Sequence, residues 1–406
     1  MMRLVLTNAT IIDCINPKPI PNSSIIIEDG KIKDILFSEA LNVIENTNSV
    51  IDLNGQYVLP GLWDVHIHPD YPLPPSISIG EQALLFGQRL IEGLTESGII
   101  GVRTGGAAHF LDVLWRDAFE SEQYIGPRVF ASGNFLTSTA GHFLESGQAL
   151  ECDGPFGFVE NIRTQIKNGV DHIKLNLSGG IMGPNWDQHK HSFLLQEELE
   201  AAFEICKKRD MKIMAHATNP LSVKQASMMG AHSIEHGYIM DDECIELMLE
   251  NDTWYVPTLA ITQLTDSQST DLWEKEWSQK RNLDTHLSCR AENAAVEHSQ
   301  WFLKSLKSGV KMALGSDIKP LKDSALLEMG LWVKCGATEW ETLLAATIKS
   351  AELCGVGNKL GTISEGKIAD LIVVGDNPLE DIRNLRNLKL VLKNGKVVSD
   401  KRTLKN

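Results

Sequence analysis

What this sequence lacks narrows its function before any motif is considered. Basic residues are in deficit, with 38 Lys and Arg against 53 Asp and Glu and a formal net charge of −15. A nucleic-acid or anionic-membrane surface needs clustered Lys and Arg, so neither kind of partner is expected. Paired cysteines are also absent. The seven present (Cys14, Cys152, Cys206, Cys244, Cys289, Cys335 and Cys354) are odd in number and scattered, and none forms a C-x-x-C pair. A reducing compartment therefore fits better than a disulfide framework. Neither MMRLVLTNAT nor any later stretch is an apolar run of the length that a signal peptide or membrane span requires. The resulting expectation is a cytoplasmic protein. No Gly-x-Gly-x-x-Gly follows the first apolar strand of the central region, which removes the usual mark of a dinucleotide-binding open sheet.

What is present is an ordinary globular composition, 43% hydrophobic and 22% charged. A chain of 406 residues can form one large domain and a smaller one. The two ends share a texture of short β-prone runs and tight turns. At the start, runs 24–28 and 31–36 flank Asp29-Gly30, a two-residue hairpin signal, and 50–53 leads through Asn54-Gly55 to 57–59. At the other end, runs 370–374 and 390–392 are followed by Asn394-Gly395 and 396–398. Neither end is long enough to bury a core separately. Together they predict one small β-sandwich, residues 1–58 and 359–406, around a central domain of residues 59–358.

The central domain alternates apolar strand-like runs with amphipathic helical stretches. The strand-like runs are 62–68, 99–104, 128–132, 172–177, 212–216, 232–236, 254–259 and 311–316. Between them, Leu199, Phe203 and Cys206 recur at i, i+4, i+7 and predict a helix over 197–210. Eight strand–helix repeats predict an α/β fold, a closed (β/α)8 TIM barrel, whose typical size is about 250 residues before insertions.

A barrel builds its chemistry at the C-terminal ends of its strands. The first run ends in His66 and His68, two positions apart and so on one face. The fourth carries Lys174 among mostly apolar neighbours, the fifth ends at His216, the sixth at His236 and the eighth at Asp317. Imidazoles and carboxylates are good ligands for zinc, manganese or cobalt. A lysine is a cation near neutrality and is not. Carbon dioxide, however, converts its amine to a carbamate, an anion with two oxygens that can bridge two metals. Each residue alone has a plainer explanation: a hydrogen-bonded strand-end histidine, a snorkelling lysine, or an aspartate serving as a helix cap. Their coincidence at one end of successive strands favours a metal site.

The ordered set PGLWDVHIHPD, GHFLESG, DHIKLNLSGG, MAHA, IEHG, GSD and EGKIADLIVV resembles the amidohydrolase superfamily over essentially the whole chain. The resemblance favours the imidazolonepropionase-related branch, which contains Xaa-Pro dipeptidases (prolidase-like) and metallo-carboxypeptidases. It implies two divalent metal ions, zinc by preference. His66, His68 and Asp317 would hold one and His216 and His236 the other, with N6-carboxylated Lys174 as the bridge. It further implies a hydrolase that cleaves the amide of a dipeptide, Xaa-Pro-like, or of an N-acyl amino acid. A metal-bridging hydroxide would attack, with Asp317 as proton shuttle. A homo-oligomer is a common family state.

Two further residues enter by position. His142, in STAGHFLESG, lies where family members often carry a histidine and would donate a hydrogen bond to a developing oxyanion. Tyr238, just past His236, would bind a substrate carboxylate. Trp186 and His189 are candidate specificity residues, and 266–301 reads as a helical insertion after the seventh strand, a plain solvated helix first and a cap over the site as the alternative. The second strand ends in RTGG, where relatives often show an aspartate after the arginine. The alternative function on the same fold is a hydrolase or deaminase of a cyclic amide, carbamate or urea. From another class, a non-catalytic scaffold would be free to lose ligands, and none of the six is missing.

Overall fold

Three X-Gly turns shape the terminal layer. In the computed structural model, which describes residues 3–37, 49–70 and 77–402, both residues of Asp29-Gly30, Asn54-Gly55 and Asn394-Gly395 have positive φ. At Asp29-Gly30 and Asn394-Gly395 that conformation matches the twist of the antiparallel ribbons they close, whereas Asn54-Gly55 lies between two short strands that both run parallel to the first strand. Gly30 is also crowded, since a Cβ there would meet the carbonyl oxygen of Asn394 at 2.9 Å. The strands these turns organise are β1 (Arg3–Ile11), β2 (Ile20–Glu28), β3 (Lys31–Phe37), β4 (Ser49–Asp52) and β5 (Tyr57–Pro60). The barrel strands follow as β6 (Leu62–Ile67), β7 (Ile99–Thr104), β8 (Arg128–Phe130), β9 (Phe135–Thr137), β10 (Ala149–Glu151), β11 (His172–Asn176), β12 (Lys212–Ala217), β13 (Ser233–His236) and β14 (Trp254–Val256). Last come β15 (Leu371–Val374), β16 (Leu388–Lys393) and β17 (Lys396–Asp400).

The two ends of the chain meet in one bonded sheet of eight strands, ordered β17-β16-β15-β5-β1-β2-β3 with β4 also on β1. The junction is antiparallel, Leu371 opposite Pro60 and Val373 opposite Val58. Period-two patterning explains how this layer sits. Leu371 and Val373 point into a core with Leu4, Leu6, Ile25, Ile27, Leu390 and Leu392. Ile372, Val374 and Val391 instead join the core of the central domain. One sheet thus has two apolar faces, and its second face packs against the barrel.

The central strands pair in parallel, β6-β7-β8 and β9-β11-β12-β13-β14. Two departures from the expected pattern appear. The third barrel strand is broken, β8 stopping at Phe130 and the ladder resuming at β9, which pairs with β11. Ala131 stays tied to the next strand, its carbonyl accepting from Asp171 N at 2.7 Å. The eighth run, 311–316, is not a regular strand: one bridge joins Met312 to Tyr255. Backbone bonds still close the barrel there, from Tyr255 N to Lys311 O at 2.8 Å and from Val65 N to Leu314 O at 2.8 Å. Buried side-chain bonds replace the missing ladder. Asp64 accepts from the backbone N (2.9 Å) and the hydroxyl (2.5 Å) of Ser316 and from the hydroxyl of Ser324 (2.9 Å).

Around the strands lie α1 (Ile79–Ser97), α2 (Leu111–Glu120), α3 (Gly154–Lys167), α4 (Gln196–Lys208), α5 (Pro220–Met229), α6 (Asp242–Glu250), α7 (Ala260–Gln263), α8 (Leu272–Arg281), α9 (Thr285–Lys307) and α10 (Leu321–Lys334). The predicted helix is α4, and Leu199, Phe203 and Cys206 form its buried stripe. Among the described residues, no helix is long and apolar enough to cross a membrane.

Candidate active site

His66 lies on β6, Lys174 on β11, His216 on β12 and His236 ends β13. His68 and Asp317 lie just past β6 and the eighth run. These six, with His142 and Tyr238, line one cavity of about 490 Å³. Ring centroids form a continuous row, His68 to His66 at 5.5 Å, His66 to His236 at 5.0 Å, His236 to His216 at 4.3 Å and His216 to His142 at 4.1 Å. Asp317 faces the row, its Oδ1 lying 3.3 Å from Nε2 of His68 and 3.7 Å from Nε2 of His66. Lys174 Nζ is 3.3 Å from Nε2 of His66. Donor atoms of His66, His236 and Asp317 lie within 4.8 Å of one another. His236 (φ 76°) and Asp317 (φ 55°) both adopt left-handed backbone conformations, a cost that folded proteins concentrate at functional sites.

Each of the four imidazoles nearest this centre has one nitrogen engaged by an oxygen. Nδ1 of His66 meets Glu235 Oε2 at 2.8 Å, and Nδ1 of His68 meets Gln148 Oε1 at 2.9 Å. Nε2 of His216 meets the carbonyl of Gly179 at 3.1 Å, and Nδ1 of His236 meets Thr258 Oγ1 at 2.7 Å. For the first three the partner is an acceptor, so that nitrogen carries the proton and the other presents a lone pair. The Gln148 orientation is fixed in turn, since its Nε2 donates to Asp70 Oδ1 at 2.5 Å. The donor set therefore fits divalent metal: imidazoles held in the ligating tautomer, a carboxylate, and space between them.

Electrostatics point the same way. Burial, then the nearby Lys174 charge, lowers His66 to about 4. Burial also holds His216 and His236 well below the ordinary imidazole value, so all three are neutral at pH 7. Burial brings Lys174 down to about 8, which leaves part of its population as the free amine, the form whose lone pair can attack carbon dioxide. Burial alone would raise Asp317. His66, then His68 and Lys174, outweigh it and hold the carboxyl well below its usual range.

Several residues that shape this site lie outside the six-residue ligand set. Glu235 is buried between His66 and Arg103, taking Nη2 of Arg103 on Oε1 at 2.8 Å. Arg103 also donates to Val65 O (2.8 Å) and Ser233 Oγ (2.9 Å), joining the first, second and sixth strands. A glutamate inside the buried β13 was as anomalous as Lys174, and the same rule would have found it. Asp187 accepts from His142 Nδ1 at 2.8 Å and from Gly180 N at 2.8 Å, fixing the loop after β11. The specificity residues expected on that loop lie elsewhere. Trp186 is exposed on a turn closed by Asp187 N to Pro184 O. Neither it nor His189 lines the cavity, whereas Ile181 and Met182 do.

The insertion after the seventh strand is not the plain solvated helix first expected: it caps the site. It contains α8 and α9, and Trp277, Lys280, Arg281, Leu283 and Leu287 line the cavity. Arg290 on α9 ties the cap to the loop below, donating to Gly180 O and Gly183 O at 2.6 Å each and to Asp187 O at 2.8 Å. Tyr238 is wholly buried beside His236, their rings 5.2 Å apart, and burial pushes its hydroxyl well above the ordinary phenol range.

The profile of the Amidohydrolase family matches residues 57–398. Ochratoxinase of Aspergillus niger is 28% identical over 92% of this chain and 82% of its own length. Imidazolonepropionase of Legionella pneumophila (strain Corby) is 25% identical over 91% of each chain. Among solved structures, a Xaa-Pro dipeptidase with methionine bound in its active site superposes with a TM-score of 0.84. It is 29% identical, covering 97% of this chain and 99% of that one.

Proposed function

The chain belongs to the amidohydrolase family and is a hydrolase of amide C–N bonds; on that premise we propose that it cleaves a dipeptide, Xaa-Pro-like, or an N-acyl amino acid. The observation that carries this reading is the convergence of His66, His68, Lys174, His216, His236 and Asp317 on one cavity, with three imidazoles pinned in the ligating tautomer. Two divalent ions, zinc by preference, would be held by these six, His66, His68 and Asp317 serving one and His216 and His236 the other. Carboxylated Lys174 would be shared between them. When bound, such a pair polarises a carbonyl and supplies hydroxide at neutral pH.

The protein's own groups would do the rest. Asp317, whose carboxyl is held well below its usual range, takes the proton released on attack and passes it to the departing amine. His142 is fixed through Nδ1 by Asp187. Its other nitrogen, when protonated, donates to the oxygen that gains charge. Tyr238 offers a hydroxyl to the substrate carboxylate. The cap on α8 and α9 limits water around the developing charge. On this reading residues 59–358 form the catalytic unit, flanked by 1–58 and 359–406. The seven free cysteines support a cytoplasmic setting.

The test is a screen of zinc- and bicarbonate-loaded protein against Xaa-Xaa dipeptides and N-acyl amino acids, read as free amine released. Turnover confined to one class of C-terminal residue is expected. Silence across the library, with lactams, carbamates or ureas cleaved instead, would overturn the substrate assignment.

A further inference from the structure

The charges around the cavity are lopsided. Lys174, Lys280, Arg281 and Lys319 face it, with Asp317 as the lining carboxylate, in a chain whose net charge is −15. Lys174 and Asp317 belong to the ligand set, which leaves Lys280, Arg281 and Lys319 as an excess of positive charge where α8 meets the loop that follows Asp317. That junction is held by Trp277, whose Nε1 donates to Lys319 O at 3.0 Å. Asp317 is near enough to favour the charged form of both Arg281 and Lys319.

Arg281, in the last turn of α8, is the odd member of this group. Its guanidinium carbon lies 5.5 Å from the centre of the Trp277 ring, and its Nη1 is buried with no hydrogen-bond partner among the described residues. Burial lowers its pKa only to about 10, so it remains a cation at neutral pH. A buried guanidinium nitrogen without an acceptor is costly. The planar fork of arginine matches a carboxylate, which accepts two parallel hydrogen bonds. Apolar walls make up much of the remaining lining, among them Phe135, Phe143, Ile181, Met182, Leu283 and Leu287.

From this we infer that Arg281 is a specificity-determining residue that receives the carboxylate of the substrate, while the apolar walls accept a hydrophobic remainder. The inference deepens the amide-hydrolase proposal and rests on it for the identity of the scissile bond. Lys280 and Lys319 also line the cavity and add positive potential to it. The class selected is an anionic amide with a bulky apolar group.

The experiment uses metal-loaded protein and two probe pairs. N-benzoyl-L-phenylalanine and N-benzoyl-L-phenylalaninamide are compared as substrates by benzoate release. L-phenylalanine and L-phenylalaninamide are compared as ligands by calorimetry, which needs no turnover. The wild type should favour the carboxylate member of each pair at least about tenfold. Arg281→Met should lose that preference by raising KM for the acid and leaving the amide unchanged. Arg281→Lys keeps a cation without the fork, should fall between, and serves if the methionine variant does not fold. Unchanged preference in the variants would overturn the subsite while leaving amide hydrolysis standing. Absence of any amide cleavage, with phenylalanine binding that still depends on Arg281, would do the reverse. Absence of both a carboxylate preference and an Arg281 effect in binding would refute the inference outright.

Discussion

Glu235 Oε2 lies 2.8 Å from Nδ1 of His66, and both side chains are buried. The contact keeps the proton on Nδ1 and leaves Nε2 free to ligate. Because Arg103 holds the other carboxylate oxygen, it also turns the imidazole against a rigid frame. Although burial opposes it, Arg103 and then His66 bring Glu235 down to about 2.

Glu235→Gln should therefore weaken metal binding by about 10–100-fold, the usual effect of losing such a support. It also strands the Arg103 guanidinium, and breaking a buried pair costs about 3–5 kcal/mol. Competition with a chelator and a thermal melt would measure the two effects separately. Metal affinity equal to that of the wild type would remove Glu235 from its positioning role.

Two glycines should give contrasting phenotypes. A Cβ at Gly105 would lie 2.8 Å from Cδ2 and Nε2 of His66 and 3.0 Å from Nε2 of His68, so Gly105→Ala should reduce bound metal. At Gly180 the new carbon would lie 2.1 Å from Cε1 of His142. Gly180→Ala should lower kcat and leave the metal content intact. Elemental analysis beside steady-state kinetics would distinguish them, and metal loss in both variants would contradict the assignment of separate roles.

Asp317→Asn should lower kcat by about 10²–10⁴-fold, the range general acid–base groups supply. Bound metal should be largely retained through the histidines. Near-normal turnover by a metal-loaded, folded variant would exclude Asp317 as the proton carrier.

Two histidines outside the six ligands, the partly buried His232 and the buried His298, contribute to acid stability. Burial lowers His232 to about 4 and His298 to about 3. The unfolded chain, with imidazoles near about 6.5, takes up these protons first as pH falls. Their contribution is complete above that value and is lost on descending through about 4 and then 3. Each adds a slope of about 1.4 kcal/mol per pH unit within its window. Melting midpoints between pH 7 and 4 should fall steeply, and less so in the His232→Gln, His298→Gln double variant. Identical slopes in the two proteins would count against the assignment.

Much of this site was legible because its residue types break local rules. Lys174 in an apolar strand, and histidines two apart after a Pro-Gly turn, are costly unless something gathers them, and strand periodicity told which end of the barrel that would be. The hairpin turns at Asp29-Gly30 and Asn394-Gly395 were legible for a similar reason, since few other pairs accept positive φ at both positions. The eighth strand was over-read. Its apolar run resembles a ladder, but Asp64, Ser316 and Ser324 hold it by side-chain bonds that no periodicity reports.

By itself the sequence determined the barrel, the terminal sheet and the six residues that meet at its mouth, because alternation and strand-end chemistry are local properties. The tertiary structure alone decided that Glu235 and Gln148 would orient the imidazoles and that Asp187 would hold His142. It also decided that Trp186 would turn outward and that Arg281 would hang from a cap into the cavity. Those are contacts between segments far apart in the chain. Their pairing depends on how the loops pack, and loop packing leaves no period in the sequence to read.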